Sequence, residues 1–451
     1  MTNQRIDAAL AAATDTRRIA LGNDALAQVS IVFTDLFGHA ARAIVIADDN
    51  TYAVAGRRVE ESLRAAGVEV EPAFIFPGTP TLYGDYTNVQ ALRDHLANVA
   101  AHAVCVGSGT LNDITKLASG ESDREYLVVA TAPSQDGYAA FGASITRDGF
   151  KITRNCPAPA GIVGDLGILA AAPSWLTATG YGDLVEKLTA GADWLIADAL
   201  GIEPVDDHIW RLVQDPLRDA LADPVSLVRG EAAAVRKLTE GLVMSGLAMQ
   251  AHQSSRPASG SGHHFSHLWE MEGLGMTVDP PLSHGLKVGL GTVAVAALYE
   301  VVLELDLTGI DVDAAVAAWP SREEAERTVR AALDGPMVEP SVARSLEKYV
   351  DAEHLRARLE TIRHLWPGLR RRLRDQLVPA GKVQEWLDAV GAVSHPAQIG
   401  LDMQKFRESY VRSNMIRNRF TVVDLMAQVG HLEDCVARLF APNGFWGAQA
   451  W

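Results

Sequence analysis

From about Ala41 the chain reads as short β-rich runs separated by helical patterns. ARAIVIAD, GRRVEESLRAAG, VEVEPAFIFPG, VQALRDHLANV and AHAVCVGSG follow one another, and YLVVATAPS supplies a further apolar run. Strands that alternate with helices of about ten residues pair in parallel through crossovers, which predicts an open sheet with both faces covered. Ligands of such sheets lie beyond the carboxyl ends of the strands, and ADDNT, GSGTLND and APSQDG all fall there.

Past roughly Leu169 the strand signals stop. LVEKLTAGADWLIADAL, VRKLTEGLVMSGLAMQ, TVAVAALYEVVL, SREEAERTVRAAL and FTVVDLMAQVGHLEDCVARLF fit a 3.6-residue period better than alternation. Ser321 with Glu324, after Pro320, predicts a capping box. A chain of 451 residues suits two domains. The expectation is an α/β fold: an N-terminal Rossmann-like parallel-sheet domain over residues 1–169, then an all-helical C-terminal domain over 170–451, with the active site in the cleft.

Acidic residues outnumber basic ones, 56 to 40, giving a formal charge of −16. That disfavours nucleic acid and anionic membrane as partners, and a small anionic substrate would need a local basic pocket. The three cysteines, Cys105, Cys156 and Cys435, lack CxxC spacing, so neither a disulfide framework nor a thiolate zinc site is suggested. The N-terminal MTNQRIDAALAAATDTRR has no basic region leading into a long apolar run and suits an amphipathic helix. VGLGTVAVAALYEVVL is interrupted by Glu300 and reads as a core helix. A cytoplasmic protein is expected. Arg370, Arg371, Arg372 and Arg374, beside Asp375, read as a solvated or subunit-contact face rather than an anion patch, and a homodimer or higher homo-oligomer is expected.

Chemistry concentrates in RPASGSGHHFSHLWEMEGLGMTVDPPLSHG, Arg256 to Gly285. If the stretch is helical after Gly262, His263 and His267 share one face and His264 points elsewhere; His284 follows on a Pro-Pro loop. Two imidazoles from separate elements can hold one divalent ion when a third, anionic ligand joins them. Asp183 in GYGDLVEK is the best upstream candidate, although it could also N-cap a helix with Glu186 completing the box. HHFSH is not HExxH, so a zinc protease is disfavoured. GSGTLNDITKLAS, Gly107 to Ser119, follows an apolar run and opens a helix, an arrangement that can receive a pyrophosphate or serve as a tight connection. Asp48 and Asp49 could bond an adenosine ribose or cap a helix, and Ser134 and Asp136 stand at a third strand end.

These stretches, with PAPAGIVGDLGIL and SHGLKVGLG, resemble the sn-glycerol-1-phosphate dehydrogenases of the metal-dependent group III (iron-containing) alcohol dehydrogenase superfamily, which has the dehydroquinate synthase-like fold; the later NRFTVVDLM looks like the bacterial branch. The resemblance implies Asp183, His263 and His284 as ligands of one divalent ion, Ni2+ or Zn2+ with Fe2+ as a further option. It implies His267 and Asp136 facing the substrate, Asp183 shared between ion and substrate, and Asp183 and His267 as the catalytic pair. NAD(H) or NADP(H) would lie on Gly107, Ser108, Gly109, Thr110 and Asp113 and on Thr131 to Ser134, with Asp48 at the ribose. The implied reaction interconverts dihydroxyacetone phosphate and sn-glycerol 1-phosphate. For the phosphate, Arg256 with Ser259 and Ser261 at a helix start is the first expectation and Lys287 the second. The alternatives are a polyol dehydrogenase such as a glycerol dehydrogenase, a dehydroquinate synthase-like sugar phosphate cyclase, or a catalytically silent nucleotide-binding oligomer. Two departures stand out: Gly262, where the family often has Glu, and Ala140, where it has Ser.

Overall fold

The computed structural model describes residues 2–147 and 150–451. Nine strands are defined there: β1 (Arg18–Gly22), β2 (Arg42–Asp48), β3 (Glu69–Val70), β4 (Phe74–Phe76), β5 (His102–Gly107), β6 (Leu127–Ala130), β7 (Ala143–Arg147), β8 (Phe150–Arg154) and β9 (Gly161–Asp165). Seven form one parallel sheet in the order β1-β9-β6-β5-β2-β3, with β4 also on β2. β7 and β8 make a separate antiparallel pair. Both sheet faces are covered, which is why β2 and β5 read as unbroken apolar runs. Val45, Val104, Val106 and Val129 pack with Phe33, Val59 and Leu63 on one face. Ile44, Ile46, Cys105 and Val128 pack with Ile114 and Leu117 on the other, in a core that continues into the helical part as far as Trp446.

Several expectations change in detail. VEVEPAFIFPG is two short strands, β3 and β4, that pair with successive parts of β2. Pro72 between them has no N–H to give the ladder. The apolar GIVGD carries the inner strand β9, and β1 pairs beside it; neither was expected as a strand. FTVVDLMAQVGHLEDCVARLF is not one helix but two, Val422–Gln428 and Leu432–Leu439.

After β9 every described element is helical. Helix His284–Val302 is long and apolar enough to cross a membrane by composition, yet 83% of it is buried and it runs through the helical core, as expected from TVAVAALYEVVL. The box at Ser321 is present: its hydroxyl accepts from Glu324 N–H (3.2 Å), and Glu324 accepts from Ser321 N–H (2.8 Å). The arginine run is engaged within the chain. Arg370 and Arg374 donate to the Leu303 carbonyl at the end of His284–Val302, and Arg372 lies 3.6 Å from Asp198. Cations at a helix C-terminus satisfy orphan carbonyls and oppose the negative dipole end.

Candidate active site

The strand order reverses between β2 and β5: the chain leaves β2 for β3 and β4 on one side, then returns through β5 to β6 and β9 on the other. Such a reversal opens a crevice at the carboxyl ends of the two strands. A cavity lies there, lined by Asp48, Ser108, Gly109, Thr110, Asp113, Ser134 and Gln135 from the sheet side. Glu270, His284, Gly285 and Lys287 line it from the helical side. Thr81 to Gly84 and Pro280 to Ser283 also line it, and Thr81 N–H donates to Asp279 Oδ1 (3.1 Å) between those segments.

The glycine-rich turn follows β5 and opens a helix, as expected. Ser108 precedes helix Gly109–Glu121 in extended backbone and makes no side-chain cap bond; the nearest polar contact is Gly109 N–H to Ser134 Oγ at 3.4 Å. The positive end of that helix therefore faces the cavity. Asp48 lines the cavity while also capping: its Oδ1 accepts from Thr51 N–H (2.8 Å). Asp49 accepts from Gly78 N–H (3.0 Å). Asp113 is in the wall, and its Oδ2 accepts from Ser144 N–H (3.3 Å). Gly107 and Thr131 stand behind that wall: Thr131 is buried and its N–H donates to the Gly107 carbonyl (3.1 Å). Gln135, not anticipated, is the side chain that a Cβ at Gly109 would strike.

Behind the cavity the histidines converge. Ring centroids of His263, His267 and His284 lie 5.3 to 6.1 Å apart pairwise. His263 and His267 come from helix Ser261–Met271, whereas His264 is buried on another side, where burial pushes its pKa well down. His284 is not on the loop but at the first position of helix His284–Val302. Asp183 is inside helix Ser174–Val185 and caps nothing. A backbone contact sets its place: a Cβ at Gly182 would sit 2.3 Å from the Gly285 carbonyl oxygen, and one at Gly285 would sit 2.1 Å from the Thr179 carbonyl oxygen. Only glycines allow the two helices this approach, and the next residue on one side is Asp183, the preceding one on the other His284.

Asp183 Oδ1 lies 3.6 Å from His263 Nε2. That is beyond a good hydrogen bond but near the roughly 3.4 Å between two atoms that share a tetrahedral ion with bonds of about 2.1 Å. The far nitrogens point the same way chemically. His263 Nδ1 faces Glu186 Oε2 at 3.1 Å, and His284 Nδ1 faces Glu270 Oε1 at 3.0 Å. A carboxylate behind an imidazole is the usual support of a metal-binding histidine and suits a divalent ion, while the three ligand atoms that come within 4.8 Å of one another among the described residues are those of His267, Glu270 and His284. Glu270 also lies 3.4 Å from His267 Nδ1 and 3.8 Å from Lys287 Nζ.

Charge is balanced by a residue that sequence reasoning overlooked. Lys187, fully buried, sits 3.0 Å from Asp183 Oδ1 and 2.8 Å from Asp136 Oδ2. Asp136 also accepts from the Ser245 hydroxyl (2.9 Å) and gives its own N–H to Asp183 Oδ2 (2.9 Å). Burial alone would raise the Asp183 carboxyl, but Lys187, His263 and His284 hold it well below the usual carboxylate range. For His263 burial favours the neutral ring, yet Glu186 and Asp183 prevail and push its pKa up to about 9. Burial, with Arg417 nearby, moves His267 well down, so its ring is neutral. The i, i+4 spacing of Asp183 and Lys187 and the i, i+3 spacing of His267 and Glu270 were the available signals.

Arg256 and its helix start are a correction. Arg256 is fully buried away from the cavity: it donates to the carbonyls of Asp193 (2.8 Å) and Phe420 (3.1 Å), and its Nε lies 3.1 Å from Glu203. The start of helix Ser261–Met271 is occupied by carboxylates. Gly260 N–H donates to Glu186 (2.9 Å), and both the N–H and hydroxyl of Ser261 donate to Asp193 (2.7 Å each). The Ser259 carbonyl accepts from Arg419 (2.7 Å). Among the described residues Lys287 is the one lysine or arginine that lines the cavity. Gly262 has a packing reason: a Cβ there would meet Glu186 Cγ at 2.8 Å.

Comparison with known proteins places this geometry. A family model described as iron-containing alcohol dehydrogenase matches residues 20–173. A protein of Halalkalibacterium halodurans named glycerol-1-phosphate dehydrogenase [NAD(P)+] is 37% identical over 257 residues, 57% of this chain and 64% of that protein. The match thus spans less than two thirds of that relative. One of Methanococcoides burtonii with the same name is 33% identical over 286 residues, 63% of this chain and 76% of that protein. Among solved structures, a probable glycerol dehydrogenase from Sinorhizobium meliloti 1021 superimposes with a TM-score of 0.59 at 15% identity, covering 94% of this chain and 97% of that one, which speaks for the fold alone. With a parallel sheet that reverses at a glycine-rich turn and a His and Asp cluster at the same cleft, the chain belongs to the iron-containing alcohol dehydrogenase family.

Proposed function

We propose that this protein is a glycerol-1-phosphate dehydrogenase: it interconverts dihydroxyacetone phosphate and sn-glycerol 1-phosphate, using a nicotinamide dinucleotide and one divalent ion. The observation that carries the reading is the pair of imidazoles, His263 and His284, each with a carboxylate near Nδ1, gathered with Asp183 behind the cavity that His284 lines and the open helix start also faces. The names of the relatives supply the substrate. Asp183, His263 and His284 would hold the ion; two imidazoles and a carboxylate suit nickel, zinc or ferrous iron, with nickel first. The ion supplies Lewis-acid polarisation of the carbonyl and the dinucleotide supplies the hydride.

The chain's own residues do the rest. Ser108, Gly109 and Thr110 offer backbone N–H groups to the pyrophosphate, and Asp48 takes the adenosine ribose. Lys187 keeps Asp183 ionised in a buried place and also pairs with Asp136. His267, kept neutral and with Nδ1 towards Glu270, has Nε2 to take the hydroxyl proton on oxidation and return it on reduction. Lys287, on the cavity wall one turn beyond His284, receives the substrate phosphate. Gly260, Ser261 and Arg256 take no part, for the reasons of geometry given above.

The deciding assay supplies metal-loaded protein with each dinucleotide in turn and offers dihydroxyacetone phosphate beside unphosphorylated dihydroxyacetone, with the product's stereochemistry determined. Oxidation of the reduced dinucleotide with the phosphorylated ketone, and formation of the sn-1 product, is expected. Equal turnover of the two ketones, or none, sinks the proposal. Metal analysis of protein purified without chelators or a nickel column addresses the ion.

A further inference from the structure

Glu186 has no exposed surface, and its two oxygens do different things. Oε1 accepts from Gly260 N–H at 2.9 Å, just ahead of helix Ser261–Met271. Oε2 lies 3.1 Å from His263 Nδ1, on the side of the ring opposite the Nε2 that approaches Asp183; the pair is not aligned as a hydrogen bond here, and neither atom has another hydrogen-bond partner. Gly262 leaves the room in which Glu186 Cγ lies. One carboxylate therefore touches both the backbone that carries His263 and the imidazole itself. Glu270 stands at His284 Nδ1 at 3.0 Å, there with hydrogen-bond geometry, so a carboxylate lies behind both rings.

We infer that Glu186 is a positioning residue for His263: once a bound ion displaces the Nε2 proton of the ring, Glu186 accepts a hydrogen bond from Nδ1–H and so fixes the tautomer whose Nε2 faces Asp183, while its other oxygen fixes where the helix begins. A neutral imidazole carries one ring proton, and which nitrogen bears it is decided by the partner of the other. With a carboxylate at Nδ1 the lone pair sits at Nε2, and the ring also becomes the better donor to a cation. Asp183 could not perform this service for His263, since it lies on the ligand side. The inference rests on the reading of Asp183, His263 and His284 as an ion site.

Cobalt(II) is the probe, because its visible absorption reports the ligand field without any turnover. Wild-type, Glu186→Gln, Glu186→Asp and His263→Ala proteins, together with the double variant Glu186→Gln/His263→Ala, are titrated against a competing chelator while thermal midpoints are recorded with and without cobalt. Glu186→Gln is expected to weaken cobalt binding about 10- to 100-fold and to alter the spectrum. Adding it to His263→Ala should cost little more, because a residue acting through the ring has nothing left to act on. Glu186→Asp keeps the buried charge but withdraws the oxygen by one methylene, so it should lose affinity too, and it decides the matter if Glu186→Gln does not fold. Wild-type affinity and spectrum in Glu186→Asp or Glu186→Gln, or full additivity with His263→Ala, would overturn the inference. No cobalt binding by wild-type protein would overturn the ion-site reading itself, and the inference with it.

Discussion

Two helices in this protein begin on glycine- and serine-rich turns, and they meet opposite fates. Gly109–Glu121 starts beneath the cavity with no side-chain cap, its first amides presented to whatever enters. Ser261–Met271 starts deep in the helical part, where Asp193 and Glu186 already accept its leading N–H groups. Both helix ends carry the same positive dipole, so the local physics is identical. The difference is what the rest of the fold puts in front of them. A phosphate approaching the second would meet two carboxylates, which is why Arg256 beside it belongs to the scaffold and not to the substrate.

The contrast can be broken or sharpened in order of expected effect. Arg256→Met should lower the free energy of unfolding by roughly 3 kcal/mol, since it strands two buried carbonyls and Glu203. Its Michaelis constants for phosphorylated and unphosphorylated ketone should keep their ratio, and a selective rise for the phosphorylated one would restore the second helix start as an anion site. Lys287→Met should do what Arg256→Met does not: raise the Michaelis constant for dihydroxyacetone phosphate about thirtyfold, the value of one charged hydrogen bond, with little change for dihydroxyacetone. Thr110→Glu gives the open start the kind of occupant the closed one has. It should weaken dinucleotide binding about tenfold, read by fluorescence titration, and leave the melting temperature within a few degrees. An unchanged dissociation constant would remove the pyrophosphate from that turn. Asp48→Ser should have the smallest effect, shifting the preference between the two dinucleotides about fivefold towards the one with a 2′-phosphate, measured as the ratio of kcat/KM values.

Why the position of one turn is legible in the sequence and the surroundings of the other are not is a matter of range. The strand, turn and helix around Gly107 are neighbours in sequence, so the apolar run AVCV and the glycines after it were enough to place the open end at the sheet edge. Asp193 and Glu186 lie 68 and 74 positions from the groups they cap, and no local pattern announces them. The same limit explains Lys187 and Glu270. Each stood in a quoted motif, but its role depends on which helix packs opposite. Strand β9 was hidden because GIVGD is too short and glycine-rich to signal a strand until β1 and β6 flank it. Asp183 and the three histidines were legible because their chemistry is rare in a core, whatever surrounds them.

The contact between Gly182 and Gly285 has one more consequence. Two main chains in contact, and not any guest, fix the Asp183 segment against the His284 segment. The entropy of bringing these two segments together is met during folding, and is not charged to whatever binds beside them. A methyl group added at either glycine would wedge the pair apart and so tune selectivity from outside the coordination sphere, without altering a single donor atom.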